Sequence, residues 1–154
     1  PQVELRADAV ARALQQVRLA GRFQIIAGRP EWILDVAHNP AAAEVLAGAL
    51  RRRGVAGRTL AVCGMLGDKD VTAVGAAVMD QIDAWILCDI REPRGLDAAS
   101  LAQRLPPGCR VIAHAPDVVA GCEAARARAA PDDRIVVFGS FHSVGPALEW
   151  LGIY

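Results

Sequence analysis

No apolar run in the 154-residue chain reaches the roughly 20 residues needed to span a bilayer, and the opening stretch PQVELRADAV lacks the apolar core of a signal peptide. No charge of one sign dominates. The 17 Lys plus Arg are matched by 17 Asp plus Glu, so no net field favours nucleic acid or a membrane surface. The four cysteines, Cys63, Cys88, Cys109 and Cys122, include no Cys-x-x-Cys pair, which argues against a zinc site or a disulfide framework. Two of them interrupt the apolar runs LAVCG and AWILCD, as buried free thiols do. A phosphate-gripping G-x-x-x-x-G-K-[ST] loop is absent, and Lys69 is the single lysine. These absences leave a soluble, cytoplasmic protein of about one domain, long enough to bury a sizeable core.

What is present is a regular alternation of short β-rich runs with alanine-rich segments, the rhythm of α/β folds. A first helix is expected over Arg6 to Arg18. FQII (23–26) and EWIL (31–34) form a hairpin around Gly28 and Pro30. Then follow a helix from Pro40 to Arg53, strand 59–64, a helix from Val71 to Ile82, and strand 84–89. A helix from Asp97 to Leu105, strand 110–113, a helix from Asp117 to Ala129, strand 134–139 and a helix from Val144 to Leu151 complete the chain. LAVC and IVVF are apolar throughout instead of alternating, as interior parallel strands covered on both faces must be. The expected fold is a three-layer α/β domain with a mainly parallel six-stranded sheet and one antiparallel strand, Rossmann-like in architecture.

In such sheets ligands bind outside the carboxyl ends of the strands. Four of those junctions are polar: Asp35-Val36-Ala37-His38-Asn39-Pro40, Met65-Leu66-Gly67-Asp68-Lys69-Asp70, Asp89-Ile90-Arg91-Glu92-Pro93-Arg94 and Gly139-Ser140-Phe141-His142-Ser143. Asn39 followed by Pro40 reads as an N-cap with proline at the first helical position. Capping accounts for neither Asp35 nor His38. A nucleotide site uses both, a carboxylate for ribose hydroxyls and an imidazole near the positive end of a helix dipole.

Taken in order, Gly21-Arg22-Phe23-Gln24, Asp35-Val36-Ala37-His38-Asn39-Pro40, Gly64-Met65-Leu66-Gly67-Asp68-Lys69-Asp70 and Phe138-Gly139-Ser140-Phe141-His142-Ser143-Val144 resemble the C-terminal domain of the folylpolyglutamate synthase/dihydrofolate synthase family, within the Mur ligase superfamily. The resemblance extends from about residue 20 to the end. It implies an ATP-dependent ligase in which a carboxylate of dihydropteroate or folate is phosphorylated by ATP with magnesium, and the amino group of L-glutamate attacks the acyl phosphate. Carried over by position, Arg22, Asp35 and His38 are ATP-binding: Arg22 for the phosphates, Asp35 for the ribose, His38 for the nucleotide. Lys69, Ser140 and His142 are glutamate-binding. No residue of the chain is assigned as a metal ligand or as catalytic.

Plainer readings stand beside these. Arg22 and Lys69 can be solvated loop cations, Asp35 a loop acid, His38 a locally bonded imidazole, and Ser140 and His142 helix-start residues. Asp68 or Asp70 can cap the helix at Val71. His114, after a strand, matches no motif, and Trp32, Trp85 and Trp150 read as core or interdomain packing.

In the resembling enzymes the phosphate loop and the folate-binding domain lie upstream, and magnesium is held mainly there. The expectation is an excised C-terminal domain that folds alone but does not ligate alone, from an enzyme the resemblance implies to be monomeric. The alternatives are another Mur-type amino-acid ligase domain, or a stand-alone α/β ligand-binding regulatory module. A phospho-receiver is disfavoured because the last strand ends in Gly139-Ser140 instead of a lysine. A serine hydrolase is disfavoured because Ser140 lies in GSFHS, not G-x-S-x-G.

Overall fold

Three five-residue strands are buried at every position, so each must be covered on both faces. The computed structural model, which describes residues 19–153, provides that cover with five α-helices. The order is β1 (Gln24–Ile26), β2 (Glu31–Asp35), α1 (Pro40–Arg53), β3 (Thr59–Cys63), α2 (Val71–Val78), β4 (Ala84–Cys88), α3 (Ala98–Arg104), β5 (Val111–Ala115), α4 (Val118–Arg128), β6 (Arg134–Phe138) and α5 (Phe141–Trp150). The strands form one six-stranded sheet in the order β1-β2-β6-β3-β4-β5. β1 pairs antiparallel to β2, and every other pairing is parallel.

Successive strand residues point to opposite faces, and the core divides accordingly. Leu34, Val62, Ile86 and Val137 pack with α4 and α5 through Val118, Cys122, Val144 and Leu148. Ile33, Ala61, Trp85 and Val136 pack with α1, α2 and α3 through Leu46, Leu50, Val74 and Leu101. Trp32 and Trp85 are buried, as expected of core residues. Trp150, half-buried, lies edge-on to Trp32 and beneath the Arg126 guanidinium, 4.0 Å from its ring centroid.

The amino edge of the sheet is fastened by polar groups. Arg134, 2 % exposed, donates to Thr59 Oγ1 and to the carbonyls of Leu50 and Gly54, closing the end of α1. Asp133 accepts from the backbone N–H groups of Arg58 and Ala130 and from the Arg58 guanidinium. These bonds leave the carboxyl edge free to carry the loops.

The mainly parallel sheet and its antiparallel edge strand agree with the expected fold, while several boundaries move. The helix expected over Arg6 to Arg18 lies outside the described residues. The helix expected to Ile82 ends at Val78 and tightens into a 3-10 turn, Met79–Gln81. Asp97 and Asp117, read as the first helical residues, are N-caps. His114 lies within β5 and is exposed, since that strand runs two residues beyond its expected end. Cys109 is half-buried, whereas the other three thiols are buried. The last helix starts at Phe141 and not Val144, because Ser140 caps it three residues earlier.

Candidate functional site

The parallel register aligns the carboxyl ends: Asp35 pairs with Phe138, and Phe138 with Cys63. The loops after β2, β6 and β3 therefore leave the sheet side by side. Because β1 is antiparallel, with Gln24 opposite Leu34, the segment before β1 joins the same edge. Arg22 is thereby placed beside Asp35, although 13 positions separate them in the chain.

Backbone bonds make the Arg22–Asp35 side one unit. The N–H of Phe23 donates to Asp35 Oδ2 at 2.8 Å, that of Ala37 to Oδ1 at 2.8 Å, and that of Val36 to the Gly21 carbonyl at 2.8 Å. Gly21, at φ +68°, has no room for a Cβ, which would stand 2.8 Å from Val144 Cγ1 on α5. Phe23 is held at φ 42°, a rare conformation for a residue with a side chain. Partial burial pushes the Asp35 carboxyl up, and the two N–H donors and the charge of Arg22 oppose that shift. Both carboxylate oxygens are engaged, yet each retains a second lone pair for an incoming hydroxyl. Arg22 is exposed at the rim.

His38, half-buried, has Nδ1 2.9 Å from the Val36 carbonyl. In the neutral ring that contact assigns the proton to Nδ1 and leaves Nε2 an acceptor. Asn39 Oδ1 accepts from the Ala42 N–H at 2.9 Å, and Pro40 opens α1, as expected. Asp35, His38 and the positive end of a 14-residue helix thus share one corner.

The next strand end carries Ser140, 7 % exposed, whose Oγ accepts from the His142 N–H at 3.2 Å. This cap uses a lone pair and leaves the hydroxyl proton to donate elsewhere. Gly139, at φ +127°, allows the turn to press against the end of β3, where a Cβ would lie 2.1 Å from the Gly64 carbonyl. His142 has Nδ1 3.6 Å from Glu92 Oε1, an ion pair when the imidazole is protonated. It lines a cleft of about 320 Å³ with Ile90, Glu92, Val118, Phe141 and Pro146.

The third strand end carries Lys69, with Nζ 3.5 Å from Asp68 Oδ2. Arg94 shares that carboxylate oxygen at 2.9 Å. Asp70, and not Asp68, caps α2, accepting from the Ala73 N–H at 3.0 Å. The two predicted sets thus stand on neighbouring strand ends, Arg22, Asp35 and His38 at one side, Lys69 at the other, Ser140 and His142 between and beyond. Among the described residues no group of three or more His, Cys, Asp or Glu side chains is arranged to hold a metal ion.

Three supporting residues lie in the polar junctions of the sequence, which assigns them no role. Ser143, fully buried, donates its hydroxyl to the Gly64 carbonyl at 2.7 Å, fixing the Ser140 turn to the end of β3. Its one signal was a serine on the buried side of a helix start. Glu92 and Arg94, on the loop after β4, reach His142 and Asp68, contacts that leave no local pattern.

A family model described as Mur ligase, glutamate ligase domain, matches residues 21–141. The dihydrofolate synthase/folylpolyglutamate synthase of Escherichia coli K12 is 37% identical over 147 residues, covering 96% of this chain and 34% of that protein. Its Haemophilus influenzae counterpart is 33% identical, covering 92% and 37%. E. coli FolC solved in complex with DHPP and ADP superimposes with a TM-score of 0.89 at 36% identity, over 98% of this chain and 36% of that one. The Yersinia pestis bifunctional enzyme with AMPPNP and Mn ion gives 0.85 at 35%, over the same shares. The chain spans about a third of the length of these relatives. The fold, the order of its polar strand ends and a match along most of its length make this chain a member of the Mur ligase family, as a glutamate ligase domain.

Proposed function

We propose that the chain works as the C-terminal domain of an ATP-dependent ligase that joins L-glutamate to dihydropteroate, to (poly)glutamyl folate, or to both, through an acyl phosphate. The observation that carries this reading is the pairing of a polyanion corner with a separate cation and hydroxyl on neighbouring strand ends, in a chain 37% identical to a dihydrofolate synthase/folylpolyglutamate synthase. An upstream domain supplies the phosphate loop, the pteroate or folate site and the ligands for magnesium.

Phosphoryl transfer asks for charge neutralisation and alignment more than for covalent work. The Arg22 guanidinium presents a permanent positive charge at the rim to the ATP phosphates. Asp35 accepts from the ribose hydroxyls through its free lone pairs, and His38 offers Nε2 to the nucleotide. Lys69 pairs with a carboxylate of L-glutamate, the Ser140 hydroxyl donates to the same molecule, and His142 lines its pocket. The acceptor carboxylate bonds to the γ-phosphorus of ATP as the bond to ADP breaks. The neutral amine nitrogen then bonds to the acyl carbon, the bond from that carbon to the phosphate oxygen breaks with its electron pair going to phosphate, and the proton lost by the amine passes to water or to that phosphate.

The test is phosphate release from ATP by the full-length protein carrying this chain, measured with and without L-glutamate and the pteroate or folate acceptor. Turnover should need both. Arg22→Ala should raise KM for ATP and Lys69→Ala KM for glutamate, each by about 10- to 100-fold, the range for a lost charge-assisted contact. Glutamate-independent turnover, under conditions where the E. coli enzyme is active, would overturn the folate reading in favour of another amino-acid ligase.

A further inference from the structure

The side chain of Lys69 is long and flexible, so where its ammonium points depends on how firmly its backbone is held. The turn from Leu66 to Asp70 has few bonds of its own: Lys69 N–H to the Leu66 carbonyl at 3.2 Å and Val71 N–H to the Lys69 carbonyl at 3.0 Å. What holds it from outside comes from α3 and the loop before it. Gly67 N–H donates to the Arg94 carbonyl at 2.7 Å. The Arg104 guanidinium donates one nitrogen to the Gly67 carbonyl at 2.9 Å and the other to the Lys69 carbonyl at 2.7 Å. One planar fork therefore spans the two carbonyls that bracket Asp68, a geometry an ammonium cannot reproduce.

Arg104 is itself half-buried at the end of α3, and its main-chain carbonyl accepts from Thr72 Oγ1 at 2.7 Å. The start of α2 and the end of α3 are thus latched in both directions across the turn. Among the described residues, Arg104 spends its charge on backbone carbonyls and forms no ion pair.

We propose that Arg104 is a positioning residue for L-glutamate binding, acting through the backbone of Lys69. The proposal rests on the reading of Lys69 as the glutamate cation. With Arg104 in place the ammonium is aimed before the amino acid arrives, and binding does not have to order the turn. Asp35 stands at the end of β2 and Arg22 just before the adjoining β1, at least two strands away, so the effect falls on glutamate and not on ATP.

Steady-state kinetics of the full-length protein separate the possibilities. Arg104→Ala should raise KM for glutamate about tenfold, the cost of ordering about one backbone residue on binding instead of beforehand, with KM for ATP changed by less than about twofold. Arg104→Lys, which regains one carbonyl at most, should fall between, at about threefold. Thr72→Val, which loosens the latch without touching the fork, should lower the melting temperature and leave KM for glutamate unchanged. In the double variant with Lys69→Ala, Arg104→Ala should add nothing to the glutamate KM.

A merely structural Arg104 would reduce the active fraction, lowering kcat while every KM stayed the same, and that result would overturn the proposal. Additive effects in the double variant would overturn it too. If Arg104→Ala fails to fold, Arg104→Lys decides alone, and an unchanged glutamate KM refutes the role. Should Lys69→Ala leave the glutamate KM intact, the reading of Lys69 fails first.

Discussion

Replacing Gly139 by alanine tests the packing that seats Ser140. At φ +127° a residue with a side chain is strained by about 1–3 kcal/mol wherever it sits. Here the added Cβ also meets the Gly64 carbonyl oxygen at 2.1 Å and Met65 Cγ at 3.2 Å. The oxygen is backbone at the end of β3 and already accepts from Ser143 Oγ, so it cannot move without breaking a buried hydrogen bond. Overpacking of this kind costs about 1–3 kcal/mol more. The sum, about 2–6 kcal/mol, is a large part of the 5–15 kcal/mol typical of a whole domain. Urea unfolding of Gly139→Ala should show that loss, and its melting temperature should drop by about 5 °C or more. Gly145→Ala is the internal control: that glycine lies inside α5, and beyond its chain neighbours and the helix's own backbone nothing stands within 4 Å of the added carbon. The helical gain of about 0.5–1 kcal/mol is opposed by Pro146, whose ring disfavours a Cβ on the helical residue before it, so stability should change by less than about 1 kcal/mol. A loss below about 1 kcal/mol for Gly139→Ala would refute the claim that β3 and β6 meet at glycine distance.

Asp133→Asn should cost about 2–4 kcal/mol at neutral pH, because three donors aimed at a buried carboxylate lose it. Burial alone would raise that carboxyl, but the Arg58 and Ala130 N–H groups and the Arg58 guanidinium outweigh it and hold it below its ordinary value. A lowered folded-state value means the stabilisation is complete above the ordinary carboxylate range and lost as pH falls through that lower value. The melting temperatures of wild type and variant should therefore converge in acid, and parallel pH profiles would contradict the assignment. Asn39→Ala should cost about 1 kcal/mol in urea unfolding, from the loss of the α1 cap. Burial pushes the Cys63 and Cys122 thiols up to about 12 and Cys88 further still, while half-buried Cys109 is raised by the same cause. Titration with a thiol-specific disulfide should label at most Cys109 in the native protein and all four in denaturant; fast labelling of two or more native thiols would sink this.

The fold was legible because strands buried on both faces read as unbroken apolar runs, LAVC, AWILC and IVVF. Helix starts were less so. An aspartate at an N-cap and one in the first turn look alike in sequence, so the pattern puts Asp97 and Asp117 inside their helices when each is the cap before the first turn. The start of α5 was hidden because Phe141-His142-Ser143 holds no strong helix former, and the helix there follows from the Ser140 cap and the Ser143 anchor. At the site, the polar strand ends could be found because each is a short contiguous motif. Their supports could not: Arg94 meets Asp68 across 26 positions, Arg104 meets Gly67 across 37, and nothing in either local stretch records the pairing.

The strand order gives the proposed chemistry its scale. β6 lies between β2 and β3, with Asp35, Phe138 and Cys63 in register, so the two outer strand ends are separated by two inter-strand spacings, roughly 10 Å. The strand ends that carry the proposed nucleotide corner and the Lys69 loop cannot drift relative to each other without shearing buried strands. Gly139 and Ser143 fix the intervening turn to β3, and Gly21 fixes the Arg22 loop to α5, so the middle element ties both flanks. If the domain closes on an upstream partner that holds ATP, Arg22 and Lys69 must arrive together, as one rigid edge. Alignment of amine and acyl phosphate is then set by a single docking motion, and weakening any of these ties should uncouple glutamate binding from nucleotide binding before it unfolds the sheet.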